Sequence, residues 1–217
     1  MSEPVFEYGQ DAVDYLRQRD KRIAEVIDRI GHINRRVIPS LFPALVHSIV
    51  GQQISTKAHE TIWQKIVAML GEVTPGKIDA LTDNELQSVG LSFRKVDYIK
   101  TIARQVLTGE FDIAALHDLT DDEVCARLSR LKGIGVWSAE MLMLFSMQRP
   151  NILSFGDLAI LRGLRMIQRH RSIDSKLFEK YRRRYSPYCS VASLYIWAVA
   201  GGAIPELTDP APKPKKK

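Results

Sequence analysis

Leu131-Lys132-Gly133-Ile134-Gly135-Val136-Trp137-Ser138-Ala139 stands between two segments of helical apolar periodicity. Gly133 permits a positive φ in a short turn, and Gly135 allows close approach because no Cβ intervenes. The helix that follows opens with backbone N–H groups and the positive end of its dipole, which together suit a phosphate. Contacts of that kind position nucleic acid without reading its sequence. A bare Gly-x-Gly is also an ordinary turn between helices, so the surroundings must decide.

Working outward, the apolar spacing stays helical. Ser55 can cap a helix whose Ala58, Ile62, Trp63, Ile66, Val67 and Leu70 share a face, with Gly71 as its stop. Thr82 with Glu85 and Thr120 with Glu123 have the spacing of capping boxes. Ser92 can start the next helix, with Val96, Ile99, Ala103 and Val106 inward and Gly109 after it. No segment alternates over strand length, so the expectation is an all-α protein of roughly ten helices. A weak repeat relates Leu81–Leu86 to Leu119–Val124, each followed by a tight turn and another helix. Two copies suggest paired hairpins in a bundle rather than a solenoid.

At 217 residues the chain can bury a real core. No run approaches the roughly 18 apolar residues of a membrane span, and the first residues do not read as a signal peptide. Cys125 and Cys189 form no CxxC pair, which argues against a disulfide framework, a zinc site or an iron–sulfur cluster and for a reducing, cytoplasmic setting. The net charge of +6 suits a polyanionic partner, but four of those charges are tail lysines, leaving +2 without them. Any basic surface must therefore be local. Beyond Pro205 the chain is polar and rich in Pro and Lys, and residues 205–217 are expected to be a disordered basic tail.

The full string from Leu131 to Ala139 resembles the helix-hairpin-helix of the base-excision DNA glycosylase superfamily, in which an aspartate follows about twenty residues later at a helix start. Ser154-Phe155-Gly156-Asp157-Leu158-Ala159-Ile160 stands in that place. The resemblance runs from about Leu41 to about Ala200 and is strongest to the bacterial 3-methyladenine DNA glycosylase II branch. It implies two helical subdomains with the active cleft between them. The central one, 49–145, would carry the hairpin, and 1–48 plus 146–204 would carry the aspartate. The implied partner is double-stranded DNA with damaged bases, bound by a monomer away from membranes.

Cleavage of an N-glycosidic bond passes through positive charge on the sugar, which a fixed carboxylate near C1′ stabilises. Asp157 is the candidate, although Gly-Asp before an apolar run is also a plain helix cap. Lysine-using members carry their nucleophile two residues after the second hairpin glycine. Trp137 is there instead, which implies attack by water and no catalytic cofactor. By resemblance Trp137, Met141 and Tyr188 line the base pocket, where aromatic faces attract a cationic base; core packing is the alternative for Tyr188. Gln53, in Gly51-Gln52-Gln53-Ile54-Ser55, corresponds to the side chain that fills the vacated stack, or else belongs to a polar helix connection. Lys132, Gly133, Ile134 and Gly135 would touch DNA, with Lys132 pointing to solvent or phosphate. The carbonyls of Ser129, Leu131 and Ile134 would hold a structural Na+ or K+ ion. Arg162, Arg165, Arg169 and Arg182–Arg184 either reach phosphate or form a solvated face. The implied activity is excision of 3-methyladenine- or 7-methylguanine-type purines. Hypoxanthine, uracil or oxidised guanine as the lesion, and a non-catalytic DNA-binding hairpin, remain alternatives.

Overall fold

Side-chain caps set most helix starts in the computed structural model, which describes residues 4–211. Among them are twelve α-helices, more than the ten expected: α1 Gln10–Arg19, α2 Lys21–Ile30, α3 Leu41–Gly51, α4 Thr56–Leu70, α5 Pro75–Ala80, α6 Asp83–Ser88, α7 Phe93–Leu107, α8 Asp121–Leu128, α9 Val136–Phe145, α10 Leu158–Gln168, α11 Ser175–Tyr185 and α12 Cys189–Ala200. A single 3-10 turn, Ala114–Asp118, precedes α8. Ser55 accepts from the Ala58 amide at α4, and Ser92 from the Lys95 amide at α7. Both capping boxes form, with each threonine amide donating to its glutamate and each glutamate amide returning to the threonine hydroxyl. The α4 face is thinner than its spacing suggests: Ile66 is buried, but Val67 is 39% exposed.

The chain divides into two compact units. One runs to Val37 and resumes at Gln148; the other is Ile38–Met147. All of α3 falls in the second unit, so its boundary lies at 37/38 rather than 48/49. In the first unit the buried Asp20 caps α2 and also accepts from Gln168 Nε2, Arg184 and the Tyr185 hydroxyl at 2.8–3.0 Å. A buried carboxylate is tolerable only when satisfied in this way. In the second unit Lys100 is buried with its ammonium on the Leu81 carbonyl and 3.2 Å from Asp83.

The C-terminal segment departs from expectation. Residues 205–211 pack against the first unit, with Glu206 2.7 Å from Arg29 and Asp209 accepting from Arg165 Nε at 2.9 Å. Both ion pairs join residues far apart in sequence, which local composition cannot reveal. The rest of the expected tail, 212–217, lies outside the described residues.

One packing feature of the second unit titrates. The His47 ring on α3 lies 4.1 Å from the ring of His59 and edge-on to Trp63 at 4.9 Å, both on α4. Burial, then the neighbouring His59, lowers the His47 pKa from 6.5 to about 4. The fold therefore prefers the neutral ring. The stability this gives is complete above pH 6.5 and is lost as pH falls through about 4. After discounting for partial exposure it amounts to about 1–2 kcal/mol. We predict that His47→Phe, which keeps a ring that cannot be protonated, flattens the melting temperature between pH 6.5 and 4. Parallel pH–stability curves for wild type and variant would remove His47 from this role.

Candidate functional site

The hairpin joins α8 to α9. Leu131 and Ile134 are buried and fix the turn to the core, and the Ile134 amide donates to the Leu131 carbonyl at 3.0 Å. Gly133 has φ +86°, the left-handed region where a Cβ is strained. A second constraint was not foreseen: a Cβ on Gly133 would lie 2.3 Å from Cδ2 of Tyr98. Gly135 is different. Its φ of −92° suits any residue, and a Cβ there would meet nothing within 4 Å. Gly135 is also the N-cap of α9 and offers no side-chain cap bond. Val136, next in the chain, is 60% exposed. Nothing inside the unit requires glycine at 135, so open space beside an uncapped helix start is what that residue provides.

The other candidate lies in the first unit. Asp157 is the N-cap of α10, its Oδ1 accepting from the amides of Ala159 and Ile160 at 2.8 and 2.9 Å. The Asp157 carboxylate is nearly buried, while its neighbours Leu158 and Phe155 are 81% and 44% exposed. Two buried serines of α12 hold the approach to it. Ser190 Oγ donates to the Arg149 carbonyl and accepts from the Ile152 amide, and Ser193 Oγ donates to the Ile152 carbonyl at 3.0 Å. Helix α10 lies close on α12 because Gly163 has no side chain; a Cβ there would come 2.3 Å from the Ile196 carbonyl. The aspartate is thus held by a helix start, a close helix crossing and a bonded loop.

The family model described as HhH-GPD superfamily base excision DNA repair protein matches residues 46–187, a span that holds both the glycine hairpin and the capping aspartate. The chain belongs to the HhH-GPD superfamily. The DNA-3-methyladenine glycosylase 1 of Schizosaccharomyces pombe is 29% identical over 81% of this chain and 78% of its own. The crystal structure of a DNA-3-methyladenine glycosidase from Bacillus halodurans superimposes with a TM-score of 0.82 and 32% identity, covering 95% of both chains. A Schizosaccharomyces pombe 3-methyladenine DNA glycosylase solved with abasic DNA gives a TM-score of 0.74 at 27% identity, covering 88% of this chain and 97% of that one.

The remaining residues of this HhH-GPD chain are placed as follows. Trp137 and Met141 lie one turn apart on α9, the tryptophan 49% exposed and the methionine half-buried. Tyr188 precedes α12, its hydroxyl donating to Asp11 at 3.0 Å and its ring edge-on to Tyr15. The Asp11 hydrogen bond raises the Tyr188 pKa. Gln53 is exposed, with φ +57°. Lys132 does not simply point outward. Its ammonium is 2.6 Å from Asp97 and over the Tyr98 ring, and the Asp97 hydrogen bond raises its pKa. Among the arginines, Arg165 is paired with Asp209, Arg184 with Asp20 and Arg182 with Glu179, whereas Arg162, Arg169 and Arg183 are exposed. Sequence reading missed Tyr98, Asp97, Ser190, Ser193 and Gly163. Only Gly163, a glycine inside a helical pattern, left a visible signal.

Proposed function

We propose that the chain is a DNA glycosylase that excises alkylated purines of the 3-methyladenine and 7-methylguanine type and leaves an abasic site. The observation that carries this reading is an open, uncapped glycine hairpin followed in the same chain by Asp157 on a helix start. Relatives named as 3-methyladenine glycosylases, one of them solved with abasic DNA, support an alkylated base as the lesion and DNA as partner. The reading is of a monomer. The unpaired Cys125 and Cys189 suit a reducing cytoplasm, and no helix of the described residues is long and apolar enough to cross a membrane.

In this mechanism the hairpin amides bind phosphate and the target nucleotide leaves the stack, which costs a few kcal/mol. Trp137, with Met141 one turn on, holds the extruded base; a cationic base on an aromatic face gains roughly 0.5–2 kcal/mol. Gln53 fills the gap left behind. Asp157 stabilises positive charge on the sugar as the bond from C1′ to the base nitrogen breaks. Water adds to C1′ and loses its proton to Asp157 or solvent. An alkylated base that is already cationic departs neutral and needs no acid. The carbonyls of Ser129, Leu131 and Ile134 would hold a monovalent cation under the turn. The Leu131 oxygen already accepts one hydrogen bond, and its second lone pair fits such a role.

Incubation with methylated duplex DNA should release free methylated bases and leave strands intact until alkali is added. Borohydride during turnover should trap no protein–DNA adduct, because Trp137 cannot form an imine. A trapped adduct that disappears when one lysine is replaced would overturn the water mechanism. Absence of base release would leave a DNA-binding hairpin without catalysis.

A further inference from the structure

The loop Gln52–Ser55 carries the residue proposed to enter the base stack, and its own sequence gives it little to stay in place. Gln53 and Ile54 are exposed, and Gln53 holds a positive φ that a non-glycine residue adopts only when its surroundings impose it. The surroundings are identifiable. Lys95, in the first turn of α7, sends its ammonium back to the end of α3, where it donates to the Val50 carbonyl and the Gln52 carbonyl, each at 2.8 Å. These oxygens lie at the negative end of α3, where helix carbonyls lack intrahelical partners and a cation is favoured. Burial, then the neighbouring Arg94, lowers the Lys95 pKa, so the ammonium is partly desolvated in this position. The Gln52 oxygen belongs to the peptide that leads into Gln53, so fixing it fixes the left-handed residue. From the other side, Gln52 Nε2 donates to the Gly133 carbonyl at 2.8 Å, and Ser55 caps α4.

We propose that Lys95 is a positioning residue for base extrusion: by clamping the Val50 and Gln52 carbonyls it holds Gln53 in the conformation that enters the stack, in fixed register with the phosphate-binding hairpin. Preorganisation of this kind matters because a misplacement of about 1 Å can cost on the order of 100-fold in rate. Lys95 touches neither the base nor the sugar; it acts through Gln52 and Gln53. The inference rests on the proposed glycosylase function, and the test separates the two.

The probe is a 7-methylguanine placed either in a fully paired duplex or in a single-nucleotide bulge, where the base is already out of the stack. Lys95→Met keeps the stem and removes the ammonium. It should slow single-turnover excision from the paired duplex by about tenfold or more, change excision from the bulge far less, and speed hydrogen exchange at Gln53 and Ile54 in the DNA-free protein. Lys95→Arg, which can reach both carbonyls, should recover most of the paired-duplex rate, and it carries the test through Lys95→Gln if the methionine variant does not fold. Equal loss on both substrates, or no loss on the paired duplex, would overturn the role of Lys95 while leaving the glycosylase reading intact. No release by wild type from either substrate would overturn the function, and this inference with it.

Discussion

Asp157→Asn should lower alkylated-base release by about 10²–10³-fold, the range seen when a single preorganised electrostatic group is removed from a transition state. The cap itself should survive. Oδ1 takes both bonds, from Ala159 and Ile160, and asparagine caps about as well as aspartate. What the substitution removes is the charge, whose interaction with the start of α10 contributes up to about 2 kcal/mol to the fold in a partly buried position. Melting temperature should therefore fall by less than about 8 °C, and affinity for abasic-site DNA should stay close to wild type. Asp157→Ala serves as the control, because it loses charge and cap together and should cost roughly a further 1 kcal/mol of stability. The measurement is single-turnover base release beside thermal unfolding. An asparagine variant that excises at near wild-type rate would falsify the catalytic assignment and leave Asp157 as a cap alone.

The two hairpin glycines should fail differently. Gly133→Ala meets both a positive φ and the Tyr98 ring at 2.3 Å, and each contributes about 1–3 kcal/mol of strain or overpacking. It should lower stability and distort the turn, and with it DNA binding. Gly135→Ala meets no atom within 4 Å and an ordinary φ, so stability should change by no more than about 1 kcal/mol. A bound DNA backbone would nonetheless meet the added methyl group. Binding should weaken by about tenfold or more for all sequences alike, since phosphate contacts carry no base information. For wild type, log affinity against log salt should fall with a slope of about −0.9 per phosphate contacted, and the variant should show a shallower slope. Anisotropy titrations across salt concentrations read all of this. Normal affinity in Gly135→Ala would mean that DNA does not approach this helix start.

What the sequence made legible is what local chemistry decides. Ser55, Thr82, Ser92, Thr120 and Asp157 each announce a helix start through a short-range bond, and all of them cap. Gly133 announced its φ. What stayed hidden depends on contacts between distant residues. Lys132 meets Asp97, 35 positions earlier, so a hairpin lysine expected to face phosphate or solvent is held by a carboxylate. Tyr188 meets Asp11 across 177 positions. Asp209 and Arg165 turn a stretch with the composition of a tail into packed structure. The boundary at 37/38 was missed for the same reason. Helix α3 is apolar on most sides, and periodicity alone cannot say which neighbour covers it.

The two related turns of the second unit differ in one respect that changes how the protein responds to its surroundings. Before α7 a serine closes the helix start with its own hydroxyl; before α9 a glycine adds nothing. A start that supplies its own acceptor needs no bound ligand to satisfy it. One that relies on an outside acceptor makes that acceptor part of the folding equilibrium, and its stability grows with the acceptor's concentration over its dissociation constant. Under the proposed DNA contact, the start of α9 would therefore be steadier with a phosphate bound than without one.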